Sequence, residues 1–406
     1  MAMKFNFFKN TFLVLSAAAL LSCSGVKNKE YVVKNPYDSD IADKAVVIQL
    51  DDLKRYVTVQ EGKVVAVKDA DGKYLPSQCD DLNGDGNWDE LAFLIDLKAN
   101  EKREVTFETV ASSELPQFPK RTNIRFGEKK KPYNEIVLGT RLKTSDSPSS
   151  SAAFQMEGPA WENDIIGFRN YFDARNGMDI FGKRVSEMAL DSVGLPGKPT
   201  YHALADWGMD VLKVGNSLGA GAIGIQIGDS LYRIGPSGKG RYRFISEGPV
   251  RAMLQLKFID VKIKDRKYEV RHLISIYAGD HFYRSKVTVT GLKGDEKLIT
   301  GIVDHDTKMV NGSFEGYDYF YALGPQAFLH EYLGMAILAD KKVVAGSFEA
   351  PEVGAGITMT HVVSLNISDN KPVEFAFLAA WEYQDEKIRD SSYFEDLIKR
   401  SILRLN

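Results

Sequence analysis

The 406-residue chain contains only two cysteines, Cys23 and Cys79. A framework of several disulfides and a cysteine-built zinc site are therefore excluded, and folding must rest on the hydrophobic core. An excess of charge of either sign is also missing. The formal net charge is −3, which leaves no basic footprint for nucleic acid. Helical periodicity is scarce, with one clear instance in SSYFEDLIKRSILRLN at 391–406. Glycine, by contrast, is abundant at 34 residues and aromatics make up 11%, as expected where many turns join twisted strands.

Lys4 and Lys9 precede an apolar run, TFLVLSAAALLS, that stops at Cys23. This run is shorter than the roughly 20 residues needed to span a bilayer. It reads as a secretory signal over 1–22. Leu20-Leu21-Ser22-Cys23 resembles the bacterial lipobox, which implies cleavage before Cys23, acylation of that cysteine and a chain held at the outer membrane by several acyl chains. The lipid bilayer is thus one expected partner, and mass spectrometry of the membrane fraction, with Cys23→Ala as control, is the check. Cys79 is then left without a partner.

Residues 23–40 read as a polar tether. Short apolar runs then recur (AVVIQL, YVTVQ, KVVAVKD, LAFLIDL, REVTFETV), separated by DGK, GDG and KANEK turns, which predicts an N-terminal β module over 41–112. Residues 113–156, with Pro116, Pro119 and SDSPSSSAA, read as a connection holding one strand, EIVLGTRLK. From 157 to 406 strand-like runs return in number, predicting a large antiparallel β-sandwich. The terminal helix should start at a capping box of Ser392 and Glu395 and cover the outside of a sheet with Phe394, Leu397, Ile398, Ile402 and Leu405. The class is mainly β.

Polar and aromatic residues crowd 157–217 more densely than structure alone requires, because buried charges need partners. Rings among carboxylates and guanidiniums suit sugars, covering C–H faces while charged groups take hydroxyls or a carboxylate. His202 is the candidate for moving a proton near neutral pH, with Glu162 or Asp173 assisting as acid or base. Trp161, Asp164, Arg169, Tyr171, Arg175, Tyr201, Trp207 and His281 are candidate substrate contacts, Arg169 and Arg175 being suited to an acidic sugar. The alternative for the same residues is a set of ion pairs that hold loops in place.

Asp81-Leu82-Asn83-Gly84-Asp85-Gly86-Asn87-Trp88-Asp89-Glu90 places oxygen ligands at Asp81, Asn83, Asp85 and Asp89, a backbone carbonyl at Asn87 and glycine at the tight turn, as a Ca²⁺ loop requires. Ala92 stands where an EF-hand has its bidentate Glu, so the expected ligand would be completed by Asp80, Glu90 or a distant carboxylate. The alternative is an Asx-rich turn satisfied by its own backbone. Asp304, His305 and Asp306 cannot all point one way in a strand. GNSLGAGAIG at 215–224 lacks the Lys-Ser/Thr of a phosphate-binding loop.

The stretches 81–91, EGPAWEND (157–164), FRNYFDARNGMDIFGK (168–183), YHALADWGMDVLKVGNSLGAG (201–221) and EGPVR (247–251) resemble the DUF4861 family of secreted or lipid-anchored bacterial proteins. The resemblance implies a galactose mutarotase-type sandwich and an association with polysaccharide breakdown, hence an acidic oligosaccharide or polysaccharide as partner. It transfers no catalytic residue, and Ala203-Leu204-Ala205 departs from the more polar run expected after His202. Two functions follow as expectations: an enzyme acting on uronate-containing oligosaccharides by elimination, hydrolysis or isomerisation, or a noncatalytic glycan-binding lipoprotein.

Overall fold

A computed structural model describes residues 29–141, 154–236 and 238–406. Residues 1–22, read from sequence as a secretory signal, and Cys23 lie outside the described residues. The chain is mainly β, built from antiparallel sheets with a C-terminal helix.

Two small sheets form the N-terminal module. One orders Tyr31–Lys34, Lys102–Val110, Val64–Asp69 and Tyr74–Leu75; the other orders Ile41–Gln49, Glu90–Leu97 and Ser77–Asp80. Their facing sides bury Val33, Ile48, Val65, Val67, Leu91, Phe93, Ile95, Val105 and Phe107. Tyr31–Lys34 falls within the stretch read as a tether and pairs as an edge strand with Lys102–Val110. The run at 56–60 is not a strand. It follows the short helix Leu50–Leu53 and closes over the core with Val57.

The larger part is a nine-stranded antiparallel sheet facing two five-stranded ones. The nine run Val310–Phe314, Tyr317–Gly324, Leu333–Asp340, Pro372–Trp381, Phe282–Thr290, Arg266–Tyr277, Arg251–Ile263, Lys239–Ser246 and Leu138–Thr140. One opposing sheet orders Gly208–Asp210, Met178–Lys183, Ile166–Asn170, Ala160–Asn163 and Thr122–Arg125. The other orders Ser230–Arg233, Gly224–Ile227, Glu296–Val303, Thr360–Asn366 and Val344–Glu349. Alternation sends Leu254, Leu256, Ile274, Ile276, Tyr283 and Phe377 from the large sheet into one core with Phe168, Ile180, Ile225, Ile299 and Val363.

Helix Ser391–Leu405 covers the outer face of the large sheet, where Phe394, Leu397, Ile398 and Ile402 pack on Phe282, Tyr321, Leu338 and Leu378. Its cap differs from the sequence expectation. Asp390 is the N-cap, its Oδ1 accepting from the Ser392 N–H at 2.8 Å, while Glu395 pairs with Lys399 and accepts from the Tyr319 hydroxyl. A cap two residues earlier wins because an ionised carboxylate accepts from the orphan N–H groups and favours the positive end of the helix dipole.

Arg251 docks the module onto the sandwich. Buried at the start of its strand, it donates to Asp80 and Glu90 of the module at 2.6 Å each and to the Tyr277 hydroxyl at 3.1 Å. Gln78 adds a side-chain bridge, donating to the Arg251 carbonyl and accepting from the Val250 and Arg251 N–H groups. Removing the cation would leave two mostly buried carboxylates facing each other. Arg251→Met is therefore expected to lower stability by about 3–5 kcal/mol, read from the midpoint of urea unfolding.

Candidate functional site

The centre of the 157–217 stretch is the guanidinium of Arg169. Arg169 lies on Ile166–Asn170, directly across from Asp179 on Met178–Lys183, and the next strand pairing sets Asp210 against Phe181. Fully buried Nη2 of Arg169 reaches three carboxylates: Asp179 in a short contact, Glu157 at 3.0 Å and Asp210 at 3.1 Å. The Tyr171 hydroxyl donates to Asp179 at 2.7 Å. The rest of the guanidinium is surrounded by rings, its Cζ lying 5.2 Å from Tyr171 and Phe181 and 5.0 Å from Tyr201. Gly208 makes the third strand possible. At φ +132° a Cβ there would lie 1.8 Å from the Gly182 carbonyl oxygen, so only glycine lets the backbone come close enough to present Asp210.

Three carboxylates around one arginine cannot all ionise in a dry site. Burial, reinforced by the charge of Asp179, pushes Asp210 well above the ordinary carboxylate range, and burial also raises Asp179 against the pull of Arg169. His202 lies beside this cluster, with Nδ1 3.6 Å from Asp210 Oδ2 and its side chain 49% exposed. Partial burial, then the Arg169 charge, lowers its pKa, so the ring is neutral at pH 7. It packs on the Tyr201 ring at 4.5 Å. Glu157 and Tyr201 also line a cavity of about 280 Å³, together with Lys129, Gln155, Lys198 and Thr200. His202 and Asp210 lie together, and Tyr201, next to His202 in the chain, is shared between the Arg169 cluster and the cavity.

Of the residues chosen from sequence, Arg169, Tyr171, Tyr201 and His202 converge here. Arg175 is adjacent, bridging Glu157 at 3.0 Å and Asp173 at 2.6 Å with its face 4.0 Å from the Tyr171 ring. Asp173 is consumed by that pair, so it is no free acid or base. Glu162 is displaced from catalysis more decisively. It is fully buried, accepting from Lys183 at 2.7 Å, Asn123 at 3.0 Å and the N–H groups of Ala189 and Leu190 at 3.0 and 2.8 Å, and it holds the 189–190 loop in place. Trp161, 1% exposed, is a core residue between Phe168 and Tyr283. Trp207 packs edge-on to Phe181 in a satellite core. Asp164 accepts from Arg121 and from the Gly279 N–H. His281 lies elsewhere, at a hollow beneath the C-terminal helix with Arg400 and Arg404. Glu157, Asp179 and Asp210 carry the site although sequence assigned them no role. The Arg169/Asp179 partnership is readable only once 166–183 is recognised as a hairpin with that register.

The 81–90 loop is closed on itself. Asp81 accepts from the N–H groups of Gly84 and Gly86 at 2.6 and 2.8 Å, Asn83 from Asp85 at 2.8 Å, Asp85 from Asn87 at 2.8 Å, and Asp89 from Leu82 at 2.7 Å. The two backbone donors hold Asp81 below its ordinary pKa. Asp80 and Glu90, expected as spare ligands, are both taken by Arg251. Each accepting oxygen keeps a second lone pair.

Fold and site together define an all-β protein whose buried charge cluster opens through Glu157 and Tyr201 on a small cavity. The family model described as a domain of unknown function, DUF4861, matches residues 33–406, and the chain belongs to that family. An uncharacterised protein, P7, of Formosa agariphila is 24% identical over 403 residues, spanning 97% of this chain and 96% of that protein. Among solved structures, an α-mannosidase from Enterococcus faecalis V583 aligns over 93% of this chain with 9% identity and a TM-score of 0.41. A glycosyl hydrolase family 38 protein from Enterococcus faecalis aligns over 92% with 9% identity and a TM-score of 0.42. The chain spans 44% and 46% of those two structures, under half of each.

A carboxyl that binds its proton more tightly when folded contributes stability that is complete at low pH and is lost as pH rises through its folded pKa. Asp210→Asn copies the protonated form and keeps that contribution. The variant is expected to match the parent near pH 4 and to gain on it above the ordinary carboxylate range, by at most about 1.4 kcal/mol per pH unit, in urea unfolding followed across pH.

Proposed function

We propose that the chain is a carbohydrate-active enzyme that cleaves uronate-containing oligosaccharides by elimination at the exposed face of His202, with the cavity lined by Glu157 and Tyr201 taking the acidic part of the substrate. The observation that supports this is the neutral, half-exposed His202 beside the proton-holding Asp210. Hydrolysis by a carboxylate pair needs two carboxyl groups flanking the bond, and Glu162 and Asp173 are locked in buried ion pairs. Proton abstraction needs one base of the right pKa, which His202 supplies. Lys129 and Lys198 on the cavity rim suit the substrate carboxylate.

In this reading His202 takes the proton from the carbon α to the uronate carboxyl. A carbon–carbon double bond forms, the glycosidic C–O bond breaks, and the departing oxygen receives the proton back from His202. Asp210 is a positioning residue that orients the imidazole, burial and the Arg169 charge keep the ring neutral, and Glu157 anchors Arg169 and Arg175.

The test is a panel of acidic and neutral oligosaccharides. Acidic members should yield products with the ultraviolet absorbance of a double bond conjugated to a carboxylate. His202→Ala should lower kcat by about 10²–10⁴-fold with an unchanged melting temperature, and Lys129→Ala with Lys198→Ala should raise KM for acidic members at similar kcat. Affinity without products in every case would make the chain a noncatalytic glycan-binding protein instead.

We further propose that the 81–89 loop binds Ca²⁺ through Asp81, Asn83, Asp85 and Asp89 with the Asn87 carbonyl. The support is the spacing of Asp81, Asn83, Asp85 and Asp89 on one short loop, where a cation would draw the three carboxylates together and offset their repulsion. Added Ca²⁺ should raise the melting temperature and Asp85→Asn should remove that rise; an identical melting curve with and without Ca²⁺ would discard the metal.

A further inference from the structure

A second polar cluster lies on a different sheet from Arg169, where strands Glu296–Val303, Thr360–Asn366 and Val344–Glu349 run side by side. Register places Glu349 opposite His361 and Val303 opposite Thr360. The Asp304 N–H donates to the Met359 carbonyl at 2.8 Å, which turns the residue just past the strand end back over the histidine. One ligand atom each from Asp304, Glu349 and His361 lies within 4.8 Å of the others, and no other such trio of His, Cys, Asp or Glu occurs among the described residues.

His361 is the informative member. It is 2% exposed, and its Nδ1 lies 2.6 Å from Glu349 Oε2. A carboxylate only accepts, so Nδ1 carries the hydrogen and Nε2 is left with its lone pair. That buried Nε2 has no hydrogen-bond partner, and the nearest charged atom it faces is Asp304 Oδ1 at 3.5 Å, itself an acceptor that takes the Thr307 N–H. Two acceptors pointing at one another in a buried place call for a cation between them. Their separation suits one: ligands bound at about 2.1 Å in tetrahedral array stand about 3.4 Å apart. The carboxylate on the far ring nitrogen is the arrangement that fixes the tautomer and raises the basicity of a metal-bound histidine. Glu349 also borders a cavity of about 380 Å³ with Gln226, Asp229, Leu231 and Phe348, an approach from solvent. His305, which sequence grouped with Asp304, is turned away and interacts with the Lys213 backbone.

We propose that Asp304 and His361, with Glu349 holding the ring, bind one first-row divalent cation such as Zn²⁺ or Mn²⁺. Imidazole nitrogen with carboxylate oxygen selects that class over Ca²⁺. Two protein ligands leave the remaining coordination positions to water or a small ligand. The site is independent of the elimination chemistry at His202.

The experiment titrates the chelator-stripped full chain with Zn²⁺ and with Mn²⁺ by calorimetry. One equivalent of either should bind, Asp304→Asn should abolish it, and Glu349→Gln, altering a side chain more than half exposed, should weaken it about 10–100-fold. Asp71→Asn, at an exposed turn of the N-terminal module, should leave it unchanged. Nitrogen NMR of the parent supplies a readout that needs no variant to fold: saturation with Zn²⁺ should shift His361 Nε2 from a bare to a metal-bound nitrogen. No binding of either cation, binding indifferent to Asp304→Asn and Glu349→Gln, loss of binding in Asp71→Asn, or a proton on Nε2 of the titrated protein would each overturn the site.

Discussion

The burial of one guanidinium organises the polar half of this molecule. Arg169 cannot leave water unless its charge is answered, and three carboxylates from a loop and two different strands answer it, walled by three aromatic rings. The answer overshoots, since three carboxyls exceed one cation. Burial raises both Asp179 and Asp210 above the ordinary carboxylate range, and Asp210 is the one that lies beside His202.

Ion pairs elsewhere do plainer jobs. Arg251 ties the N-terminal module to the large sheet through Asp80 and Glu90. Arg121 links Asp43 of the module to Asp164 at a hairpin turn, and Arg404 at the end of the terminal helix reaches Asp280 and the Asp43 carbonyl. Each joins segments far apart in sequence, so the two bodies meet through charged and hydrogen-bonded anchors around a small apolar patch of Ala92, Leu94, Val250, Tyr277 and Ala278. The cost of desolvating each charge is offset only when all its partners are in place, which makes these contacts selective for one docking.

Much of the fold was legible in sequence because its period is local. Alternating apolar runs and glycine-marked turns gave the strand content, and the 3.6-residue period from Phe394 to Leu405 gave the single long helix and its covering role. Misreadings occurred where tertiary contact overrides local preference. The run at 56–60 has strand-forming residues yet turns away after the helix Leu50–Leu53, and Tyr31–Lys34, YVVK set in a polar stretch read as a tether, gains order from pairing with Lys102–Val110. Trp161 reads as a sugar platform among charged neighbours, but strand alternation turns it into the core while Glu162 turns to Lys183 on the opposite face.

Sequence by itself determined that charged and aromatic residues concentrate in 157–217, that the chain is β-rich, and that its cysteines cannot staple it; these are properties of composition and short-range period. Tertiary structure decided which of those charges meet. Asp210 stands 41 residues from Arg169 and His361 lies far along the chain from Asp304, so no spacing rule links them. Strand order and register bring the atoms together, and burial then sets which carboxyl keeps its proton and which imidazole nitrogen is left without a partner.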